Sequence, residues 1–187
     1  MEVKPKLKFR ILLWVVVGIV ILGFSVTLQV LSSSYRKIPC DFCKHRFLTE
    51  PTSNWIIIYP GLVGCGKKCP LALEALRKFR VQFPKTSFSI YFLVTDPSES
   101  EEAIQNYLAY YQTSLEILAL RPNSENEKSF YRRLGAYLPE HEVLKQRDEH
   151  GTQFFLIPPN REIVYALPKI EASDWERIQR EINSQSK

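Results

Sequence analysis

From Ile11 to Leu31 the chain carries no formal charge, and Ser25, Thr27 and Gln29 are the only polar side chains in the run. As a helix rising ~1.5 Å per residue, such a run spans a hydrocarbon core of about 30 Å. It predicts a transmembrane anchor over 11–31. A cleaved signal peptide has a shorter apolar stretch of ~7–15 residues before a small-x-small site, and Ser32-Ser33-Ser34 is a poor one, so the anchor is expected to stay.

Beyond a polar stretch the apolar residues return only in short blocks. Trp55–Tyr59, Ser87–Val94, Leu115–Leu120, Gly151–Ile157 and Glu162–Ala166 read as strands, the last two joined by a Pro158-Pro159-Asn160-Arg161 turn. Helical spacing fills the gaps. Leu73, Leu76, Phe79 and Phe83 share a face before Pro84, and Ser98 heads a helix to Tyr111. Asn123 or Ser124 heads another helix, ended by Gly135, and 172–183 carries Trp175, Ile178 and Ile182. This order predicts an α/β domain, a mixed sheet flanked by helices. The expected divisions are a basic flank (1–10), the anchor (11–31), a linker containing Cys-x-x-Cys (32–54) and the domain (55–187).

Charge alters this picture little. The net charge is +5 over 187 residues, and Lys4, Lys6, Lys8 and Arg10 against Glu2 place +3 of it in the first ten. What is left is a nearly balanced domain with no basic helix or aromatic-basic platform, which argues against a nucleic-acid partner. The basic flank instead orients the anchor: N-terminus in the cytoplasm, domain outside. In a bacterial chain that is the inner membrane with the domain on the periplasmic or outer face, where thiols meet oxidising conditions.

The chemistry lies in four cysteines. Gly64-Cys65-Gly66-Lys67-Lys68-Cys69-Pro70 falls where the first strand hands over to a helix. Cys65 and Cys69 stand four apart, neighbours on one face if the turn is regular. The helix start and Lys67 and Lys68 favour the thiolate, which ligates soft metals and attacks disulfides. Such a pair at the first strand-to-helix junction suggests a thioredoxin-like layout. Cys40 and Cys43 have four readings: a local disulfide, a pair of thiols near the anchor, a second redox couple, or an accessory metal site with His45. All four together approximate a structural zinc site. The histidines are His45, His141 and His150. His141 reads as solvated, and His150 stands just before the Phe154–Ile157 strand.

The block Gly61–Pro70, the Asp96-Pro97 pair and Glu149-His150-Gly151-Thr152 before the late apolar strand resemble the Sco/SenC family over about Trp55–Asn183. These are membrane-anchored, thioredoxin-fold copper proteins that assist assembly of the copper centre of cytochrome c oxidase. The resemblance implies copper as the bound metal, with Cys65, Cys69 and His150 as its ligands. It also implies the copper subunit of cytochrome c oxidase, or another copper protein, as partner. Val63 stands where the family has Thr, Glu149 where it has Asp, and Gly66-Lys67-Lys68 replaces a Pro-Asp-type insert. The segment before the first strand is too short for the family's usual N-terminal hairpin. These departures, the lysines above all, keep a second expectation open: a thiol–disulfide oxidoreductase in which Cys65 attacks and Cys69 resolves.

Overall fold

The computed structural model describes residues 13–24, 36–136, 153–167, 178 and 180–184. Residues 1–34 and 35–187 form separate units. In the first, 13–24 are helical (α1) and almost wholly exposed, Trp14 at 73% and Leu22 at 67%. Among the described residues no helix is long and apolar enough to cross a membrane.

The second unit is built on one six-stranded sheet, ordered β1-β6-β5-β2-β3-β4. Its strands are β1 (Arg36–Pro39), β2 (Trp55–Gly61), β3 (Phe88–Val94), β4 (Ile117–Leu120), β5 (Phe154–Ile157) and β6 (Ile163–Leu167). β2, β3 and β4 run parallel, whereas β5, β6 and β1 add antiparallel neighbours. Central strands covered on both faces read as continuous apolar runs, and every residue of β2 is buried. The helices are α2 (Cys43–Arg46), α3 (Lys68–Gln82), α4 (Glu101–Leu115), α5 (Glu125–Arg133) and α6, described at 178 and 180–184.

Strand alternation divides the core in two. Trp55, Ile57 and Tyr59 of β2 join Ile90 and Phe92, Phe154 and Leu156 on one face. Leu73, Leu76 and Phe79 of α3, Ile104 and Leu108 of α4, and Ile178 and Ile182 of α6 cover that face. Ile56 and Ile58, with Tyr91, Leu93, Phe155 and Ile157, face the other way, onto Phe47 and onto Phe130 and Tyr131 of α5. Each fully buried Leu, Ile or Phe contributes about 1.5–3 kcal/mol, so a one-residue slip of β2 would forfeit both faces together.

Boundaries follow local chemistry. Ser100, not Ser98, caps α4 by accepting from the Ala103 N–H at 3.1 Å, and Ser124 caps α5 through Glu127 N–H at 3.2 Å. Ser98 is occupied elsewhere, donating its hydroxyl and its N–H to Asp96. The β5–β6 turn closes with Arg161 N–H donating to the Pro158 carbonyl at 2.9 Å, Arg161 at φ +55°.

The polar stretch before β2 differs from a plain linker. Residues 36–39 form an edge strand whose ladder to β6 pairs Arg36 with Ala166 and Pro39 with Ile163. A strand paired on one side only has no apolar alternation to announce it, and Pro39 suits an edge. Phe47 is then buried, and the Arg161 guanidinium reaches over the turn after it, donating to the carbonyls of Phe47, Glu50 (2.8 Å) and Pro51 (3.0 Å).

Candidate thiol site

β2 ends at Gly61, and the chain turns over Leu62-Val63-Gly64 into α3. Only glycine fits at 61, because a Cβ there would come within 2.1 Å of the Phe92 ring. Gly64, at φ +76°, makes the left-handed step that brings Cys65 N–H back to the Leu62 carbonyl at 3.2 Å. The Cys69 thiol donates to that same carbonyl oxygen at 3.7 Å. The two sulfur-bearing residues thus converge on one turn.

A second loop holds this turn from the side. Thr95, at the end of β3, donates its N–H (3.1 Å) and its hydroxyl (2.7 Å) to the Gly61 carbonyl. The Glu99 carboxylate accepts from Val63 N–H at 2.6 Å, and Arg121 donates to the Glu99 carbonyl. The buried Asp96 carboxylate shapes this loop through its bonds from Ser98. The Asp96-Pro97 pair legible in the sequence is therefore part of the brace around the thiols.

α3 starts at Lys68, one turn earlier than expected, so Cys69 and Pro70 lie inside its first turn. Proline is tolerated there because the first N–H groups of a helix have no partner within it. Unlike α4 and α5, α3 has no side-chain cap: Lys67 holds the cap position. Backbone donors and the dipole end thus face the thiols, with Lys67 and Lys68 exposed beside them. Neither thiol is in a disulfide, and both are buried, Cys65 at 8% exposure and Cys69 at 0%.

Two tyrosines complete the surroundings. Tyr59, fully buried, presents its hydroxyl beside Cys69 without completing a hydrogen bond, and Tyr107 of α4 does likewise. Burial first, and then the Cys69 and Cys65 sulfurs, push the Tyr59 phenol far above its ordinary range. Tyr107 moves the same way, by burial and then by Cys69. Neither tyrosine is part of a motif in the sequence. The available signal was Tyr59, a polar tip at an inward position one turn before the thiols.

The other cysteine pair sits elsewhere. Cys40 and Cys43 form a disulfide with Cα atoms 5.5 Å apart, buried on the face opposite Cys65 and Cys69. Cys40 follows the Pro39–Ile163 rung, level with the start of β2, whereas Cys65 follows its end. A seven-residue strand at ~3.3 Å per residue separates them by about 20 Å. This corrects the four-cysteine zinc reading and the accessory metal site with His45: bonded sulfurs on the far face cannot share ligands with the thiol loop. Of the three candidate copper ligands, Cys65 and Cys69 come together, and His150 lies outside the described residues, as does His141. Among the described residues no three His, Cys, Asp or Glu side chains gather as a metal site.

No family model matches the sequence, nor does any curated protein. Solved structures do. Copper-bound Sco1 from yeast is similar at TM-score 0.55 and 24% identity, over 70% of this chain and 77% of that one. The fold is that of the Sco proteins. A SCO1/SenC family lipoprotein from Bacillus anthracis matches at TM-score 0.57 and 14% identity, over 74% of this chain and 85% of that one. BsSco, a member of the Sco family of cytochrome c oxidase assembly proteins in which a disulfide switch was identified, matches at 0.51 and 15%, over 72% and 81%. The Sco fold accounts for the thioredoxin-like sheet expected here.

Proposed function

We propose that the chain is a Sco/SenC-type copper metallochaperone: it takes up copper on Cys65, Cys69 and His150 and passes it to the copper subunit of a cytochrome c oxidase, or to another copper protein. The observation that carries this reading is the pair of buried, reduced cysteines on one turn of a Sco fold, a fold that in yeast Sco1 is seen with copper bound. Two thiolates are a soft donor set, which selects Cu(I) over hard cations, and an imidazole suits copper as a third ligand. Two anionic sulfurs at an uncapped helix start offset the charge of the incoming cation. The exposed Lys67 and Lys68 weaken capture and ease release.

Residues 11–31 serve as the anchor in this reading. A helix that is apolar all round, as 13–24 is, belongs in a protein core or in a membrane, and its side chains are exposed. With the basic flank inside, the domain faces the outer side of the membrane, where a Cys40–Cys43 disulfide persists.

A second reading, thiol–disulfide exchange on partner cysteines, has its own support: Cys65 is the more accessible thiol, as an attacking sulfur must be, and Cys69 lies behind it. One experiment separates the two. Full-length protein in detergent, reduced and loaded with Cu(I), is expected to hold one copper per chain, and Cys65→Ser or His150→Ala to lower the retained metal markedly. Metal at background in the unaltered chain sinks the copper reading. Partner-disulfide reduction that persists in His150→Ala, with copper absent throughout, favours the exchange reading.

A further inference from the structure

A buried hydroxyl that completes no hydrogen bond raises the free energy of the fold, and a phenylalanine in the same slot would not. Tyr59 carries such a hydroxyl at 0% exposure. Its ring is held by Phe154 at 5.0 Å and Phe92 at 6.2 Å between centroids, so the O–H torsion is its remaining freedom. The polar groups around it are the Cys69 and Cys65 sulfurs and the Tyr107 hydroxyl, Cys69 foremost. In the resting thiol state Cys69 gives its own proton to the Leu62 carbonyl. An anionic or metal-bound sulfur has no proton to give and becomes an acceptor. A carbonyl offers such a sulfur nothing, whereas a hydroxyl beside it does.

We propose that Tyr59 is a positioning residue of the thiol site: its hydroxyl donates a hydrogen bond to the Cys69 sulfur in its electron-rich states, thiolate or metal thiolate. The donor thereby stabilises the reduced pair against its disulfide. Charge-assisted hydrogen bonds are the stronger kind, and a buried setting strengthens them further. Tyr59 keeps its proton throughout, since burial and the sulfurs both oppose its ionisation. The proposal rests on the reading of Cys65 and Cys69 as the working pair.

The test is an equilibrium of the full chain in detergent with a glutathione buffer. At pH about 9.5, above the ordinary thiol value of about 8.5, two glutathione thiolates give two electrons to the Cys65–Cys69 disulfide, leaving the dithiolate and glutathione disulfide. Alkylation and peptide mass analysis read this pair separately from Cys40 and Cys43. Tyr59→Phe should shift the equilibrium about fivefold to tenfold toward the protein disulfide, a potential lower by about 20–30 mV. Tyr165→Phe removes a hydroxyl that donates to Glu181 at 3.0 Å on the same sheet face, and should change nothing. A second readout uses copper(II): losing a hydrogen bond to sulfur moves the sulfur-to-copper charge-transfer band to lower energy.

A Tyr59→Phe equilibrium within about twofold of the unaltered chain overturns the proposal alone, as does an equal shift in Tyr165→Phe. If the pair binds copper but does not oxidise, an unmoved band in Tyr59→Phe overturns it instead. A pair that neither oxidises nor binds copper overturns the functional reading, and this proposal with it.

Discussion

The chain has two cysteine pairs, and the fold treats them oppositely. Cys40 and Cys43 are joined, buried against Phe47 and the α5 face, at the foot of the sheet. Cys65 and Cys69 are reduced, at the head of β2, on the other face. One is Cys-x-x-Cys and the other Cys-x-x-x-Cys, both short spacings in polar sequence, so spacing alone does not separate their roles. What separates them is what surrounds the sulfurs. The joined pair is set among ordinary apolar side chains and braced by Arg161, which donates to three carbonyls, and by Glu50, which accepts from Ser89 and Tyr91. The reduced pair is set among an uncapped helix start, two lysines and two tyrosine hydroxyls. One pair is joined and the other is held as free thiols.

The sharpest way to break this contrast is to exchange the pairs' fates. Cys69→Ser should lower Cu(I) affinity by more than about 100-fold, since losing even a group that only hydrogen-bonds a metal ligand costs about 10–100-fold. Cys40→Ser with Cys43→Ser should leave copper stoichiometry unchanged. Competition with a chromogenic Cu(I) chelator reads both, and copper loss in the second variant would merge the two sites.

Arg161→Ala strips three carbonyls, that of Phe47 buried, of their charged donor and should destabilise the domain by about 3 kcal/mol, lowering Tm by about 10 °C. Calorimetry measures it. Copper binding should survive at temperatures where the domain stays folded, because the brace lies at the far end of the sheet.

Reducing the Cys40–Cys43 disulfide should cost less, about 2 kcal/mol for so short a loop. The comparison is thermal unfolding of the Cys40→Ser, Cys43→Ser chain against the unaltered one. No difference would remove the structural role assigned to that pair.

The smallest effect is one of pH. Tyr131, on the disulfide face, has its phenol pushed well above the ordinary value by burial and then by Glu127, and Tyr59 on the thiol face is raised likewise. For a phenol, the unfolded chain then loses its proton first. Stability should hold below about pH 10 and fall as pH rises beyond it, because the unfolded state binds fewer protons there. Tyr131→Phe should blunt that fall in unfolding curves between pH 9 and 11, and an unchanged slope would count against it.

Much of this molecule was legible in one dimension. The apolar runs of β2, β3, β5 and β6 announced buried strands, Ser124 announced a cap, and Cys65 and Cys69 stand at the strand-to-helix handover that the sequence placed them on. Local rules fix such features, because alternation, capping and turn chemistry act within a few residues. The edge strand at 36–39 was not legible: its ladder exists only through β6, more than a hundred residues later. Nor was the bracing of the thiol turn by Thr95 and Glu99, nor the separation of the cysteine pairs to opposite faces and ends of the sheet. Each is a relation between distant segments, decided when strand pairing sets which face a residue meets. The sequence by itself determined where the reactive sulfurs stand in the chain. Tertiary structure decided which of them share a turn, which are locked together, and that a tyrosine hydroxyl waits beside Cys69.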